Sequence, residues 1–223
     1  MKRNLLIASA FVLTSGLLIL NGCKKDDTTA PVVTIIGNTS IDNPLNTAYS
    51  DQGATANDDE DGTITVSTSG DVNVDKTGTY EITYSATDKA GNVGTATRTV
   101  HVYNEAEGFA GVYLNAVDTC QVTGNSTFDA TVTASDSVNH LVIINNFGAF
   151  GPSINVYAKI TGNTSGSNIT ITVPQSLGGT ASLTQIYQNE SKVITGGTSP
   201  KFMIHYKWDD GINNDVCTST YSR

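Results

Sequence analysis

Apolar and polar residues alternate with a period of two along much of this chain, the pattern of strands that bury one face. Tyr80, Ile82, Tyr84 and Ala86 alternate with Glu81, Thr83 and Ser85, while Ile64 and Val66 alternate with Thr63, Thr65 and Ser67. Val32, Val33, Ile35 and Ile36 predict an opening strand after Pro31. Asp88-Lys89-Ala90-Gly91-Asn92 predicts a hairpin connection, and Val100 and Val102 predict a last strand that turns His101 outward. A helical period is found nowhere in this region. Short strands at this spacing predict a β-sandwich over residues 30–104.

From about Gly108 the pattern continues with more aromatic residues. Strand-like runs fall at 112–120, 128–135, 140–145, 154–161, 168–173, 181–187, 202–208 and 216–221. Turn signals divide them, among them Gly124-Asn125, Gly151-Pro152, Gly178-Gly179 and Asp210-Gly211. Strands in sequence with short links predict an antiparallel meander over residues 106–223. Closure into a small barrel of lipocalin-like architecture would remove its exposed edges. The predicted fold class is therefore all-β.

The first residues break the pattern. Lys2 and Arg3 precede an apolar run from Leu5 to Leu20, too short for the ~20 residues that cross a bilayer. A basic start, an apolar stretch and a small-residue exit predict an export signal over residues 1–22. Leu20-Asn21-Gly22-Cys23 resembles the bacterial lipobox, which implies lipidation of Cys23 and cleavage before it. A lipidated tether would then occupy residues 23–29. Each buried methylene contributes roughly 0.8 kcal/mol, so two or more acyl chains hold a protein on a membrane without a spanning helix. Lys24-Lys25-Asp26-Asp27 beside the cysteine resembles the signal that directs Bacteroidota lipoproteins to the outer face of the outer membrane.

Five separated blocks then carry a family resemblance. They are Ala30-Pro31-Val32-Val33-Thr34, Tyr49 to Ala56, Asp61-Gly62-Thr63-Ile64-Thr65, Gly78 to Tyr84, and Ala86 to Asn92. In this order they resemble the bacterial Ig-like domain of the pesticidal crystal protein type. That resemblance implies a modular sandwich, frequent in surface proteins and without catalytic activity. The antibody-type Cys…Trp…Cys core is absent, so Tyr, Val and Ile must fill the interior. The later meander resembles uncharacterised β-rich domains of Bacteroidota lipoproteins.

Charge narrows the partners. The chain carries −9, and loss of Lys2 and Arg3 with the signal makes it −11. No basic patch of the kind nucleic acid requires is present. With Cys23 lipidated, Cys120 and Cys217 remain as a pair, which predicts a disulfide in an oxidising compartment. It would close a loop of about a hundred residues, worth about 4.7 kcal/mol by chain entropy alone.

Candidate chemistry is sparse. Asn57, Asp59 and Asp61, followed by Gly62 and Ile64, match the first half of a calcium loop, with Asp51 or Asp88 as further ligands. Thr68 stands where such a loop needs a bidentate Glu, and turn geometry alone also explains Asp and Gly here. The turn Asp209 to Asp215 is accounted for by hairpin chemistry. His101, His140 and His205 sit singly in predicted strands, short of zinc-ligand spacing. Nucleophile elbows and phosphate loops are missing. Tyr206 and Trp208 share a strand face and are candidates for stacking on a sugar ring, with Phe147, Phe150 and Tyr157 at the same mouth; core packing competes with that reading.

These features point to a non-catalytic surface lipoprotein, attached to the membrane by lipid, that serves as a binding, adhesion or spacer module for a glycan or an envelope protein. The alternative is a structural subunit of an outer-membrane assembly, and a hydrolase ranks behind both. Calcium is the sole candidate cofactor.

Overall fold

The computed structural model describes residues 26–162, 167–171, 175–187, 190–194 and 201–223. The predicted signal and Cys23 lie outside them. All three sheets are built from strands, and the described helical turns are two short 3-10 segments, Glu107–Phe109 and Phe147–Ala149.

Seven strands form the first unit: β1 (Val32–Ile35), β2 (Ser40–Pro44), β3 (Ala54–Asp58), β4 (Gly62–Ile64), β5 (Ser67–Ser69), β6 (Gly78–Thr87) and β7 (Val93–Tyr103). They make two sheets, ordered β1-β3-β4 and β2-β7-β6-β5, with β2 parallel to β7 and the remaining pairs antiparallel. Leu45, Ile82, Tyr84, Val100 and Val102 form the core between them. Strand alternation turns Val100 and Val102 inward and leaves His101 exposed, as the sequence predicts.

The run Thr63–Ser67, read from sequence as one strand, is divided. Gly62–Ile64 pairs with β3 in one sheet and Ser67–Ser69 with β6 in the other, so the chain changes sheets at Thr65-Val66. Periodicity cannot show such a crossing, because both halves keep the same alternation.

Arg98 sits at an inward position of β7 and is only 1% exposed. Burial of a cation is costly unless every donor finds an acceptor. Here Nε donates to the Asn38 carbonyl, Nη2 to the Ile36 carbonyl and Nη1 to Asp51. Tyr84 donates its hydroxyl to both Asp51 oxygens at 2.7 and 2.8 Å, and its ring lies 5.6 Å from the guanidinium carbon. Because Ile36 follows β1, this knot ties one sheet to the other.

Ten strands form the second unit: β8 (Gly111–Cys120), β9 (Asn125–Ala134), β10 (Leu141–Asn145), β11 (Asn155–Ile160), β12 (Ile169–Thr170), β13 (Gln175–Gly178), β14 (Ala181–Ile186), β15 (Lys192–Ile194), β16 (Lys201–Asp209) and β17 (Asn214–Ser222). The order β12-β11-β10-β9-β8-β17-β16-β14-β13 is antiparallel throughout, with β15 paired to the start of β16. β13 and β15, four and three residues long, were not foreseen from sequence, because so short a run gives no period to read. A bulge in β8, with Asn115 at φ 54°, lets both Tyr113 and Ala116 face inward.

The sheet curls into a half-barrel. Its first and last strands, β8 and β17, pair directly, and Cys120 lies opposite Cys217 in a disulfide that spans 97 residues. The far edges approach as well. Ile169 N–H donates to the Ser191 carbonyl and Val193 N–H to the Ser167 carbonyl, joining the ends of β12 and β15. The Gln175 carboxamide accepts from Tyr157 N–H at 3.0 Å and donates to its carbonyl at 3.1 Å, so a side chain stands in for a strand neighbour of β11. Aromatic rings fill the interior: Phe202 stacks on Tyr221 at 4.5 Å, Tyr113 meets Phe202 edge-on at 5.4 Å, and Phe147 lies against Tyr206 at 4.8 Å.

A single carboxamide holds the junction of the two units. Asn104, just after β7 and 2% exposed, donates to the Ser135, Val138 and Leu141 carbonyls and accepts from Ala106 and His140 N–H. Asn46 and Thr77 of the sandwich reach the same loop through the Ser137 and Asp136 carbonyls.

Because β8 and β17 remain paired without it, loss of the disulfide in a Cys120→Ser, Cys217→Ser variant should lower unfolding free energy by about 2–4 kcal/mol rather than abolish folding. Guanidinium denaturation against the oxidised protein measures the difference.

Candidate functional site

The acidic turn between β3 and β4 is governed by strand parity. Ala56 and Asp58 point inward, whereas Asn57 and Asp59 point out. Asn57 and Asp59 face a shallow groove on the outer side of β1-β3-β4, and Asp61 pairs with Lys89 through both its backbone N–H at 2.7 Å and its Nζ at 2.9 Å. Asn57 and Asp59 thus open onto the groove while Asp61 is turned to Lys89. Of the three, β3 fixes the face of Asn57, and Asp59 and Asp61 belong to the turn that follows.

Asp58, the residue between them, is the one drawn inside. It is 3% exposed, and its Oδ1 accepts the Glu60 and Asp61 N–H groups that close the turn. Asp88, at the start of the β6–β7 connection, is also buried, and Asp27 of the N-terminal segment lies beside both. One carboxylate oxygen from each of Asp27, Asp58 and Asp88 falls within 4.8 Å of the other two. Asp88 accepts Gly91 N–H at 2.6 Å and Asn92 N–H at 2.8 Å on Oδ1, and the Asn92 carboxamide at 2.7 Å on Oδ2. Desolvation raises its pKa, but the Asn92 and Gly91 donors outweigh this and hold it below the usual carboxylate range. Sequence reading named Asp88 as a further ligand but passed over Asp58 and Asp27. The signal that finds Asp58 is its strand parity with buried Ala56. Asp51, the other extra ligand considered, is committed to Arg98 and Tyr84.

Two further carboxylates lie inside the half-barrel. Asp118 accepts the Tyr206 hydroxyl at 2.8 Å and the Ser219 hydroxyl at 2.9 Å, beside the disulfide. Its burial outweighs those two donors and raises its pKa. Asp215 accepts N–H groups from Gln121, Val122, Thr123 and Val216, together with the Thr123 hydroxyl. Desolvation raises this group too, yet the Thr123 donors dominate and its pKa is lowered. The turn 209–215, read from sequence as hairpin geometry, therefore ends in a residue that caps the chain after Cys120.

The aromatic candidates separate. Tyr206 is fully buried with its hydroxyl spent on Asp118, and Phe147 is equally buried, so neither presents a ring to a ligand. The core claims them because inward positions of a curled strand are enclosed on all sides. Tyr157 faces outward, 49% exposed. Trp208, at the end of β16, and Phe150 are both partly buried against the core, their rings edge-on at 5.6 Å. His101, His140 and His205 are separated, each near one acid: Asp42, Glu105 and Glu190 respectively.

Residues 33–102 match the family described as bacterial surface protein, Ig-like domain. That sandwich is followed by a curled antiparallel sheet, so the chain combines a bacterial surface Ig-like domain with an all-β half-barrel. Among solved structures, a lipoprotein from Bacteroides thetaiotaomicron is similar at 16% identity and a TM-score of 0.35, over 86% of this chain and 100% of that one. A Clostridium perfringens ZmpB structure, containing CBM51-2 in complex with GlcNAc and INT domains, is similar at 21% identity and a TM-score of 0.27. That likeness spans 53% of this chain and 30% of the other. No curated protein matches the chain. Among the described residues, no helix is long and apolar enough to cross a membrane.

A group held below its unfolded pKa stabilises the fold above that unfolded value and loses the contribution as pH falls through the folded one. Asp51 and Asp215 are both lowered, Asp51 because donors from Tyr84, Tyr49 and Arg98 overcome desolvation. Stability should therefore fall steeply below pH about 4. Asp215→Asn should cost about 2–3 kcal/mol at neutral pH, with the gap from the parent narrowing as the pH falls through that range. Denaturant titrations across pH check both statements.

Proposed function

We propose that this chain is a non-catalytic surface lipoprotein of the Bacteroidota type, anchored in the outer membrane through lipidated Cys23 and facing the cell exterior. Its Ig-like domain, of the pesticidal crystal protein type, acts as a spacer that carries the half-barrel toward a glycan or protein partner. The observation that carries this reading is the polarity of the sandwich. The N-terminal segment enters beside the hairpin Asp88–Asn92, where Asn92 donates to the Asp27 carbonyl, and the half-barrel leaves from the opposite end of β7. That strand runs Val93–Tyr103, which at ~3.3 Å per residue sets the entry of the N-terminal segment and the start of the half-barrel about 33 Å apart.

The absence of a catalytic role is part of this proposal. Asp51, Asp118 and Asp215 are each consumed by internal hydrogen bonds, which suits support of a fold rather than proton transfer to a substrate. Trp208, half-exposed beside Phe150 and close to the Asp209–Asp210 turn, supplies the ring and carboxylate chemistry that a glycan would meet.

A second reading, a structural subunit of an outer-membrane assembly, is favoured by a different surface. The outward face of β8 exposes Val112, Leu114 and Val117, of which Leu114 is 60% accessible. Neighbouring apolar side chains on one strand suit a protein contact better than a sugar.

Intact cells should lose the protein to added protease, and a Cys23→Ala variant should leave the membrane fraction; retention of that variant in the membrane overturns the anchor. If a glycan is the partner, Trp208→Ala should weaken binding at least tenfold on a glycan array. Failure of the parent to bind any glycan on the array, with loss of a co-purifying envelope protein in Leu114→Ser, would favour the structural subunit.

A further inference from the structure

Three carboxylates that share a space within 4.8 Å repel one another, and the protein's own groups neutralise them only in part. Asp27 Oδ1 accepts Thr29 N–H at 2.9 Å, and Asp88 is satisfied on both oxygens. Asp58 is different. Oδ1 serves the turn, while Oδ2 is fully enclosed and has no hydrogen-bond partner. A buried carboxylate oxygen left unpaired costs more than one ordinary hydrogen bond, and this carboxylate meets two more acids within 4.8 Å. An orphaned buried oxygen calls for a partner, and a bound ion is one that would serve three acids at once. Lys89, the residue after Asp88, directs its Nζ to Asp61 at 2.9 Å.

We infer that Asp27, Asp58 and Asp88 form a calcium site that fastens the N-terminal segment to the end of the sandwich. The chemistry fits a hard cation: all three side-chain donors are carboxylate oxygens, with sulfur and imidazole absent from the cluster. Three charges match calcium better than a cation that prefers neutral ligands. The elements that bring the oxygens together are distinct: Asp27 precedes β1, Asp58 ends β3 and Asp88 follows β6. A bound ion would therefore add a common tie among three chain segments already linked by Asn92, by the Asp61–Lys89 pair and by the close approach of Pro31 to Gly94. At Gly94 the backbone approach is so close that a Cβ would collide with the Pro31 carbonyl.

The position gives the site a mechanical consequence. Asp27 lies four residues after Cys23. A cation held by Asp27 and by two residues of the sandwich sets where the segment that follows Cys23 joins the folded module. The calcium would be drawn from outside the cell, where modules of this kind bind at 10⁻⁴–10⁻³ M.

Calcium titrations of the full chain in detergent, followed by calorimetry and by thermal melting with and without chelator, test the site. We expect saturable binding of one calcium and a melting midpoint that rises with its concentration. Asp58→Asn and Asp88→Asn should each weaken affinity at least tenfold. Asp27→Asn, which lies on the N-terminal segment outside the core and does not threaten folding, should do the same. Asp59→Asn should leave affinity within twofold, and magnesium should compete poorly. Heat that does not saturate at millimolar calcium, or affinity unchanged in Asp27→Asn, overturns the assignment.

Discussion

The half-barrel exists because its first and last strands are neighbours. An antiparallel meander of short strands has two open edges, each a row of unpaired backbone groups, and the pairing of β8 with β17 places those edges at the middle of the sequence rather than at its ends. The Cys120–Cys217 bridge crosses this pairing and Asp215 caps the chain that follows Cys120, so the seam is held covalently, by backbone ladder and by a carboxylate. What remains open at β12 and β13 is tied by two backbone hydrogen bonds and by the Gln175 carboxamide. With the seam in place, inward alternation stacks Tyr113, Phe202 and Tyr221 into a common core.

Buried charge follows one rule through most of the molecule: each ion is enclosed only with its partners. Arg98 has two carbonyls, Asp51 and the Tyr84 ring; Asp215 has four backbone donors and a hydroxyl. Asn104 applies the same logic without charge at the junction of the two units. Among the buried carboxylates described, the Asp58 Oδ2 is left without a partner, and it occurs where the chain enters the fold. An orphaned carboxylate oxygen is a better pointer to a ligand than any count of acids.

Much of the fold was legible because the cues were local. The alternation at Tyr80–Ala86, the hairpin Asp88–Asn92 and the runs that became β8, β9, β16 and β17 were read from residue spacing, and the cysteine pair from arithmetic and compartment. Short elements were lost: β13 and β15 are too brief for a period to register, and the parallel strand β2 carries Asp42, Asn43 and Pro44, residue types that disfavour strands. Arg98 escaped notice because one charged residue among threonines looks like a solvent-facing position.

The candidate site divides along the same line. A sequence motif drew attention to Asn57, Asp59 and Asp61, whereas the residue of that stretch that turns inward is Asp58. Register, which a strand settles only by pairing, decided that Asp58 turns inward. Composition and spacing by themselves determined an all-β chain that begins with a β-sandwich and, once Cys23 is set aside, one cysteine pair; the Ig-like character came from resemblance of its sequence blocks. Tertiary structure alone decided that Tyr206 is core, that Arg98 needs Asp51, and that Asp27, Asp58 and Asp88 meet. Those outcomes depend on which residues distant in the chain compete for the same enclosed space, and no local pattern records that competition.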